Sequence, residues 1–253
     1  MADHEAVAAS WVDRWDRQQE HYIAEREERF QVIGDVVERV CAPVEAPVVV
    51  DLGCGPGSLS TRLHARVPHA RIVGVDVHPF LLGLARHTRP EQAPIDYVLT
   101  DLGEPGWTER VGAGRGWDAA VSTTALHWLE PDRLRRVYDD LATALRPGGV
   151  LINGDHLYFE KPALQELAEF VRDRRAERAG VLANEDWATW WAQARSDAGL
   201  REMFTEEELT TKASGHGNDL SPRWHEEALR QAGFSDVGTV WQYGDDYVMV
   251  AVR

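Results

Sequence analysis

The sequence predicts an α/β fold: a mostly parallel seven-stranded sheet with an antiparallel last strand, flanked by helices on both faces and covered by further helical segments. Three observations carry that expectation. Short β-branched runs alternate with helical periodicity between residues 47 and 153, the pattern of strands joined by crossover helices. The first strand runs straight into a glycine-rich turn, Asp51-Leu-Gly53-Cys54-Gly55-Pro-Gly57-Ser58, where a ligand can approach the main chain. A charged, tryptophan-rich stretch over 158–220 interrupts the alternation once, and the alternation then resumes.

Residues 5–40 read as helical, because Val7, Trp11, Trp15, Tyr22, Phe30, Ile33, Val36, Val37 and Val40 recur at helical spacings among charged residues. Pro43 and Pro47 end that region. Strands are expected over 47–52, 71–76, 95–100, 117–122 and 149–153, and helices over 58–66, 79–87, 104–111 and 132–145. Gly112, Gly114 and Gly116 mark one turn, and Pro147-Gly148-Gly149 another. A helix over 222–232 and strands over 237–242 and 247–252 close the chain. The four-residue link 243–246 reads as a hairpin, which turns the last strand antiparallel. The organisation expected is an N-terminal helical lid (1–42), a core built from 43–157 and 221–253, and a helical insertion (158–220) acting as a substrate lid over the carboxyl edge of the sheet.

Composition narrows the function. The 253 residues carry 42 acidic against 27 basic side chains, a net charge of −15, so nucleic acid is not an expected partner. Neither 1–40 nor 158–220 hides a basic region, since acids outnumber bases in both. Runs such as Val48–Val50 fall far short of the roughly 18 apolar residues of a membrane helix. Met1-Ala2-Asp3-His4-Glu5 resembles no signal or transit peptide. Two cysteines make no disulfide framework. The expectation is a cytoplasmic protein, monomer or homodimer, acting on a small molecule.

Two readings compete for the glycine-rich turn. The dinucleotide fingerprint wants glycine at the first, third and sixth positions, and counting from Gly53 the sixth is Ser58. The pattern Asp51-x-Gly53-x-Gly55-x-Gly57 resembles motif I of the class I S-adenosylmethionine (SAM)-dependent methyltransferases instead. Asp76 ends the second strand, where that family holds the ribose hydroxyls. Thr100-Asp101-Leu102 follows the third, where an acid meets the adenine amine. Leu145-Arg-Pro-Gly-Gly-Val150-Leu151 is similar to the family's approach to strand five. The resemblance covers about 45–155 and 222–253. It implies a Rossmann-like fold and SAM as cofactor, with S-adenosylhomocysteine as product. It also implies a binding set of Asp51, Gly53, Cys54, Gly55, Gly57, Asp76, Val77, Asp101, Leu102 and Ser122. The alternative is that the glycines only shape a turn and the aspartates only cap helices. Three acids ending neighbouring strands at one switch point argue against it.

A sulfonium carries its own leaving group, so the protein mostly has to align a nucleophile and exclude water. A carboxylate acceptor needs no base, whereas a phenol, alcohol or amine usually does. Ser122-Thr-Thr-Ala-Leu126-His127-Trp128-Leu129 resembles the segment found in trans-aconitate and juvenile hormone acid methyltransferases, which act on carboxyl oxygens. The resemblance implies that Trp128 helps to bind a substrate carboxylate. His127 reads as a general base, as a donor to an anion, or as a histidine packed at a helix start. Asn153-Gly-Asp155-His156-Leu-Tyr158 offers a second base or substrate contact. Asp155 could orient His156, although neighbours on an extended chain point opposite ways, and a polar strand exit that caps the next element is the alternative.

In the N-terminal region Trp15, Gln19, Tyr22 and Arg26 are spaced to share one helical face. In the family such a helix closes over SAM with Tyr and Arg at its carboxylate; simple docking on the sheet is the alternative. Trp11, Trp187, Trp190 and Trp191 read either as walls of an apolar or aromatic pocket or as helix packing. Arg172, Arg174, Arg175 and Arg178 read as a solvated face, and His216 as a lid contact or a solvated residue. His216, Asp219 and His225 lack the tight pairs of a zinc set, so no metal is expected. The expectation is therefore methyl transfer from SAM to a small molecule, at an oxygen and in secondary metabolism. Its catalytic candidates are His127 and His156, and its substrate candidates Trp15, Gln19, Trp128, Tyr158, Trp187, Trp191 and His216. An N- or C-methyltransferase, a non-catalytic SAM-binding regulator and an NAD-type oxidoreductase are the competing readings.

Overall fold

A computed structural model describes residues 2–114, 116–205, 208 and 217–253. The N-terminal region forms α1 (Ala2–Glu20) and α2 (Arg26–Cys41). The core follows as β1 (Val48–Leu52), α3 (Ser58–Arg66), β2 (Arg71–Asp76), α4 (Pro79–Thr88), β3 (Ile95–Leu99), α5 (Trp107–Val111), β4 (Trp117–Thr123), α6 (Pro131–Ala144) and β5 (Leu145–His156). The insertion contributes α7 (Pro162–Ala179) and α8 (Trp187–Ser196), and the chain closes with α9 (Pro222–Ala232), β6 (Asp236–Tyr243) and β7 (Asp246–Val252).

Among the described residues seven strands form one sheet in the order β3-β2-β1-β4-β5-β7-β6. β7 is antiparallel to both its neighbours, and every other pair joined directly is parallel. The central strands β1, β2, β4 and β5 are apolar because both faces are covered. On one face Trp107, Leu134, Val137, Leu141 and Leu229 pack on Val50, Val73, Ala120 and Leu151. On the other Phe30, Ile33, Val37, Leu59 and Leu63 pack on Val49, Ile72, Val121 and Ile152. Strand order reverses between β1 and β4, so a crevice opens at their carboxyl ends.

Several local expectations are corrected. The helical run over 5–40 breaks at 21–25, where Glu25 takes a left-handed φ of 57°. Trp15 and Gln19 are thereby separated from Tyr22 and Arg26, and one shared face no longer exists. The helix expected from 104 starts at Trp107, because Gly106 at φ 74° occupies its N-cap. The turn expected at Pro147-Gly148-Gly149 is absorbed into a longer β5, with a register shift against β4 between Trp117 and Ala119. The final hairpin turns on two residues, Gly244 and Asp245, rather than four. Gly244 stands at φ 62°, and a Cβ there would lie 2.9 Å from the carbonyl oxygen of Ala168. Glycine is what lets the hairpin meet α7.

The arginines of α7 do not form a solvated face. Arg175 is buried, pairs with Glu25 at 2.8 Å and with Glu28, and stacks over Tyr243. Arg172 bonds Asp245 at 2.6 Å, and Arg178 donates to the Tyr243 hydroxyl. Arg174 pairs with Glu177 on the exposed side of the helix.

Candidate functional site

The glycine-rich turn holds Gly53, Gly55 and Gly57 at φ 67°, 54° and 85°. A Cβ on Gly53 would stand 2.3 Å from the Cβ of Ala125, and one on Gly57 would stand 2.3 Å from the Tyr97 hydroxyl. Glycine is required here both for the positive φ and for the close approach. Beside the turn the Gly55 N–H donates to Asp76 Oδ2 at 2.8 Å and the His78 N–H donates to Oδ1 at 2.9 Å. Each carboxylate oxygen keeps a lone pair for a further donor. Burial raises the Asp76 carboxyl above its ordinary range, opposed by those backbone bonds.

Asp51 accepts from Ser60 Oγ at 2.6 Å through Oδ2, while its Oδ1 is buried without a partner. Burial pushes its carboxyl up to about 7, against the Ser60 bond, and the charge of Asp76 adds to the rise. An orphaned carboxylate oxygen in a closed site calls for a ligand donor, since buried polar groups are otherwise bonded.

α1 lies over this turn. Trp15 comes within 3.7 Å of where a Cβ on Gly55 would stand. Asp16 anchors the helix by accepting from Ser58 Oγ at 2.6 Å, Arg26 at 2.8 Å and Arg62 at 3.2 Å. Gln19 is nearly buried. Its neighbour Gln18 is fully buried, with neither amide atom bonded, and the Arg26 Nε is likewise unpartnered. Gln18 escaped sequence reasoning, although a glutamine one turn past Trp15 on an otherwise aromatic face was its signal. Tyr22 is half-exposed and its hydroxyl accepts from the Trp187 N–H at 3.1 Å, not from a neighbour of the glycine turn.

Beyond the turn, Val77 and Leu99 are exposed apolar residues at the ends of β2 and β3, and Leu102 is half-buried nearby. Asp101 accepts from the Gly103 N–H at 2.7 Å and faces Arg133 at 3.8 Å, so its carboxylate also caps a turn. Cys54 is buried and its thiol is pushed up by burial. Ser122 Oγ donates to the Leu52 carbonyl at 3.0 Å, tying β4 to β1.

The carboxyl ends of β4 and β5 bring together a pair that sequence reasoning did not join. His127 Nδ1 lies 2.7 Å from Asp155 Oδ1, and the His127 N–H donates to Oδ2 at 3.3 Å. Asp155 is 1% exposed. Burial alone depresses the imidazole, but the charge and hydrogen bond of Asp155 outweigh it and hold His127 above its ordinary value. Burial likewise opposes ionisation of Asp155, and His127 and Arg29 outweigh it and hold the carboxyl below its ordinary range. Thr124, a β-branched residue at φ 52°, is held by its N–H bond to Gly154 at 2.9 Å. Such a conformation costs about 1–3 kcal/mol and clusters at functional sites.

Asp155 does not orient His156. Successive β5 residues point to opposite faces, and His156 Nδ1 instead faces Asp245 Oδ1 at 3.5 Å. Tyr158 is half-buried, and burial raises its hydroxyl, with Asp219 and Asp245 adding to the rise. Trp128 is 52% exposed beside the His127 ring. Arg29, another residue missed from sequence, is fully buried; its Nε donates to Asp246 at 2.8 Å and its Nη1 to the Gly154 carbonyl at 3.2 Å.

The tryptophans of the insertion pack against α1 and α4. Trp190 is fully buried, 4.9 Å from Trp15, 5.5 Å from Trp11 and 5.2 Å from Trp191. Together with Phe80 these rings fasten α1 and α8 to α4, and Trp187 packs at the edge of the cluster. His225 Nδ1 is committed to the Tyr138 hydroxyl at 2.6 Å inside the core. His216 lies outside the described residues.

A parallel sheet with one antiparallel strand, a glycine turn after β1 and acids ending β1 and β2 define a class I SAM-dependent methyltransferase domain. Residues 49–149 match the family model described as a methyltransferase domain. Over 170 residues, 67% of this chain and 61% of the relative, the sequence is 33% identical to trans-aconitate 2-methyltransferase of Azoarcus sp.. It is 29% identical over 213 residues to carboxy-S-adenosyl-L-methionine synthase of Chromohalobacter salexigens, covering 81% of this chain and 68% of that one. The fold superposes on magnesium protoporphyrin IX methyltransferase of Synechocystis, solved with bound S-adenosylhomocysteine, at a TM-score of 0.56 and 17% identity, over 96% of this chain and 94% of that one. The matched region is a class I SAM-dependent methyltransferase domain, with SAM as its cofactor. The chain spans about 61% of the length of the trans-aconitate relative.

Proposed function

We propose that the chain methylates an oxygen of a small, hydroxyl-bearing acceptor, with His127 as the proton acceptor and Asp155 as the residue that orients it. SAM supplies an electrophilic methyl group on a sulfonium, so the protein's own part is to hold, align and deprotonate. Asp51 Oδ1 fits the ammonium of the methionine moiety, a charge-assisted bond for an orphaned carboxylate oxygen. Asp76 fits the ribose hydroxyls through its remaining lone pairs, and Val77, Leu99 and Leu102 offer apolar surface to the purine. Gln18 and Arg26 Nε, buried and unbonded, fit the carboxylate end beneath α1.

The observation that carries the proposal is the His127–Asp155 bond. It commits Nδ1 to the carboxylate and leaves Nε2 for an acceptor proton, the arrangement expected of a general base. Trp128 and Tyr158 are the residues of this edge suited to contact the acceptor. Assay of labelled methyl transfer from SAM to a panel of hydroxyl and carboxylate acceptors tests the reading. Hydroxyl acceptors should be turned over, and His127→Ala should lower kcat by about 10²–10⁴-fold, the usual worth of a positioned base, with SAM affinity unchanged. Equal turnover by His127→Ala would contradict it.

A second reading is methylation of a carboxylate, favoured by the name trans-aconitate 2-methyltransferase carried by the Azoarcus relative. His127 would then act as an imidazolium that binds the acceptor anion. The two readings differ in the sign of their pH dependence.

A further inference from the structure

We propose that Asp219 selects the acceptor, binding the cationic nitrogen of a hydroxyl-bearing amine whose hydroxyl faces His127; the inference rests on the hydroxyl reading above. Asp219 lies where the insertion returns to the core, and its neighbours are fastened to both strand exits. The Asn218 N–H donates to the His127 carbonyl at 2.8 Å, and Asn218 Nδ2 donates to the carbonyls of Leu129 at 2.9 Å and Leu126 at 3.3 Å. From the other strand exit the Tyr158 N–H donates to the Leu220 carbonyl at 3.1 Å. Between these anchors Asp219 stands at φ 50°, a left-handed conformation that aspartate tolerates better than most residues. A carboxylate is thus held on a fixed backbone beside the proton acceptor.

Its surroundings point to a cation. A Cβ on Gly217 would stand 3.6 Å from His127 Cδ2 and 3.8 Å from Asp219 Oδ1, so carboxylate and imidazole border the same small space. Cδ2 is bonded to Nε2, the nitrogen that Asp155 leaves for the acceptor. Burial lowers His127 and Asp155 raises it, and the charge of Asp219 adds to the rise; at Tyr158 burial and Asp219 raise the hydroxyl together. The other acids of this edge are committed, Asp155 to His127, Asp245 to Arg172 at 2.6 Å and Asp246 to Arg29 at 2.8 Å. Asp219 is exposed, and among the described residues it has neither a hydrogen bond nor an ion pair. Trp128 adds an exposed aromatic face beside the His127 ring. An uncommitted carboxylate with an aromatic face is the chemistry that holds an ammonium, and like charge disfavours a carboxylate there.

Labelled methyl transfer to two matched series tests the assignment. Tyramine, para-ethylphenol and para-hydroxyphenylpropionate share a phenol and carry an ammonium, no charge or a carboxylate; propanolamine, propanol and hydroxybutyrate do the same for an alcohol. In the wild type the amine should exceed the uncharged member by about tenfold in kcat/KM, the worth of one charge-assisted hydrogen bond, with the carboxylate lowest. Asp219→Asn keeps a side chain suited to the left-handed backbone and should bring the amine down to the uncharged member, through KM. Asp219→Lys should invert the order and favour the carboxylate. Equal kcat/KM across each series, or an amine preference that survives Asp219→Asn, would overturn the assignment while hydroxyl transfer itself stands. Should Asp219→Asn lose its fold, the wild-type order alone decides. Turnover of no hydroxyl in either series would overturn the hydroxyl reading and this inference with it.

Discussion

A histidine whose Nδ1 is committed to a buried aspartate has one nitrogen left for chemistry, and its protonation is set by that partner. His127 is such a residue. Asp51 is its counterpart at the cofactor end. With its carboxyl pushed up to about 7, it is protonated below neutrality and cannot then receive an ammonium. SAM affinity measured by calorimetry should therefore fall as pH drops below 7, approaching tenfold per pH unit, and Asp51→Asn should flatten that dependence. A pH-independent affinity in the wild type would remove Asp51 from the ammonium site. Gly53 and Asp76 were legible in the sequence because a backbone at positive φ and a strand-end acid leave direct traces in residue type. The His127–Asp155 pair was not. The two residues lie 28 positions apart, and their meeting depends on the pairing of Thr123 with Gly154 across β4 and β5.

At the scale of elements, α1 and α8 are fastened by aromatic rings together with ion pairs such as Arg14–Glu185. Trp190 is the central ring, surrounded by Trp11, Trp15, Trp191 and Phe80. Trp190→Ala should destabilise the protein by about 3–5 kcal/mol, the usual cost of truncating a buried aromatic. Amide exchange in α1 and α8 should rise before that of the sheet. Unchanged protection of α1 would show that something else holds these helices. The sequence predicted helices here and left open whether the tryptophans wall a pocket or pack helices. Packing holds for Trp190 and Trp191, and the wheel alone could not decide it because the partners sit on three separate helices. Arg175 shows the same limit. A run of four arginines in one helix reads as solvated until Glu25, at the N-cap of α2, and Glu28 within it come in from the other side.

At the scale of the molecule, the sheet converges its polar groups at one edge and uses a buried cation to hold them. Arg29 donates to Asp246 of β7, to Thr123 of β4 and to Gly154 of β5. Removing one partner of a buried ion pair leaves the other charged and unsatisfied, at a cost of about 3–5 kcal/mol. Arg29→Ala should lower unfolding stability in urea by that amount, and a change below about 1 kcal/mol would show that the pair is not needed. The α/β class, the strand sequence and the antiparallel last strand were legible from the alternation of periods, because a strand buried on both faces must be apolar. Arg29 was hidden, since a cation in a helix otherwise reads as surface.

The pH dependence of kcat tests the central claim most directly. If His127 is the base, kcat should rise with pH to a plateau, with its midpoint above the ordinary imidazole value of about 6.5, because Asp155 holds that pKa up. Asp155→Asn removes the charge, so its midpoint should move to lower pH and its plateau should fall. A wild-type kcat that is flat, or that declines as pH rises through this range, would contradict a base and favour an imidazolium bound to a carboxylate acceptor.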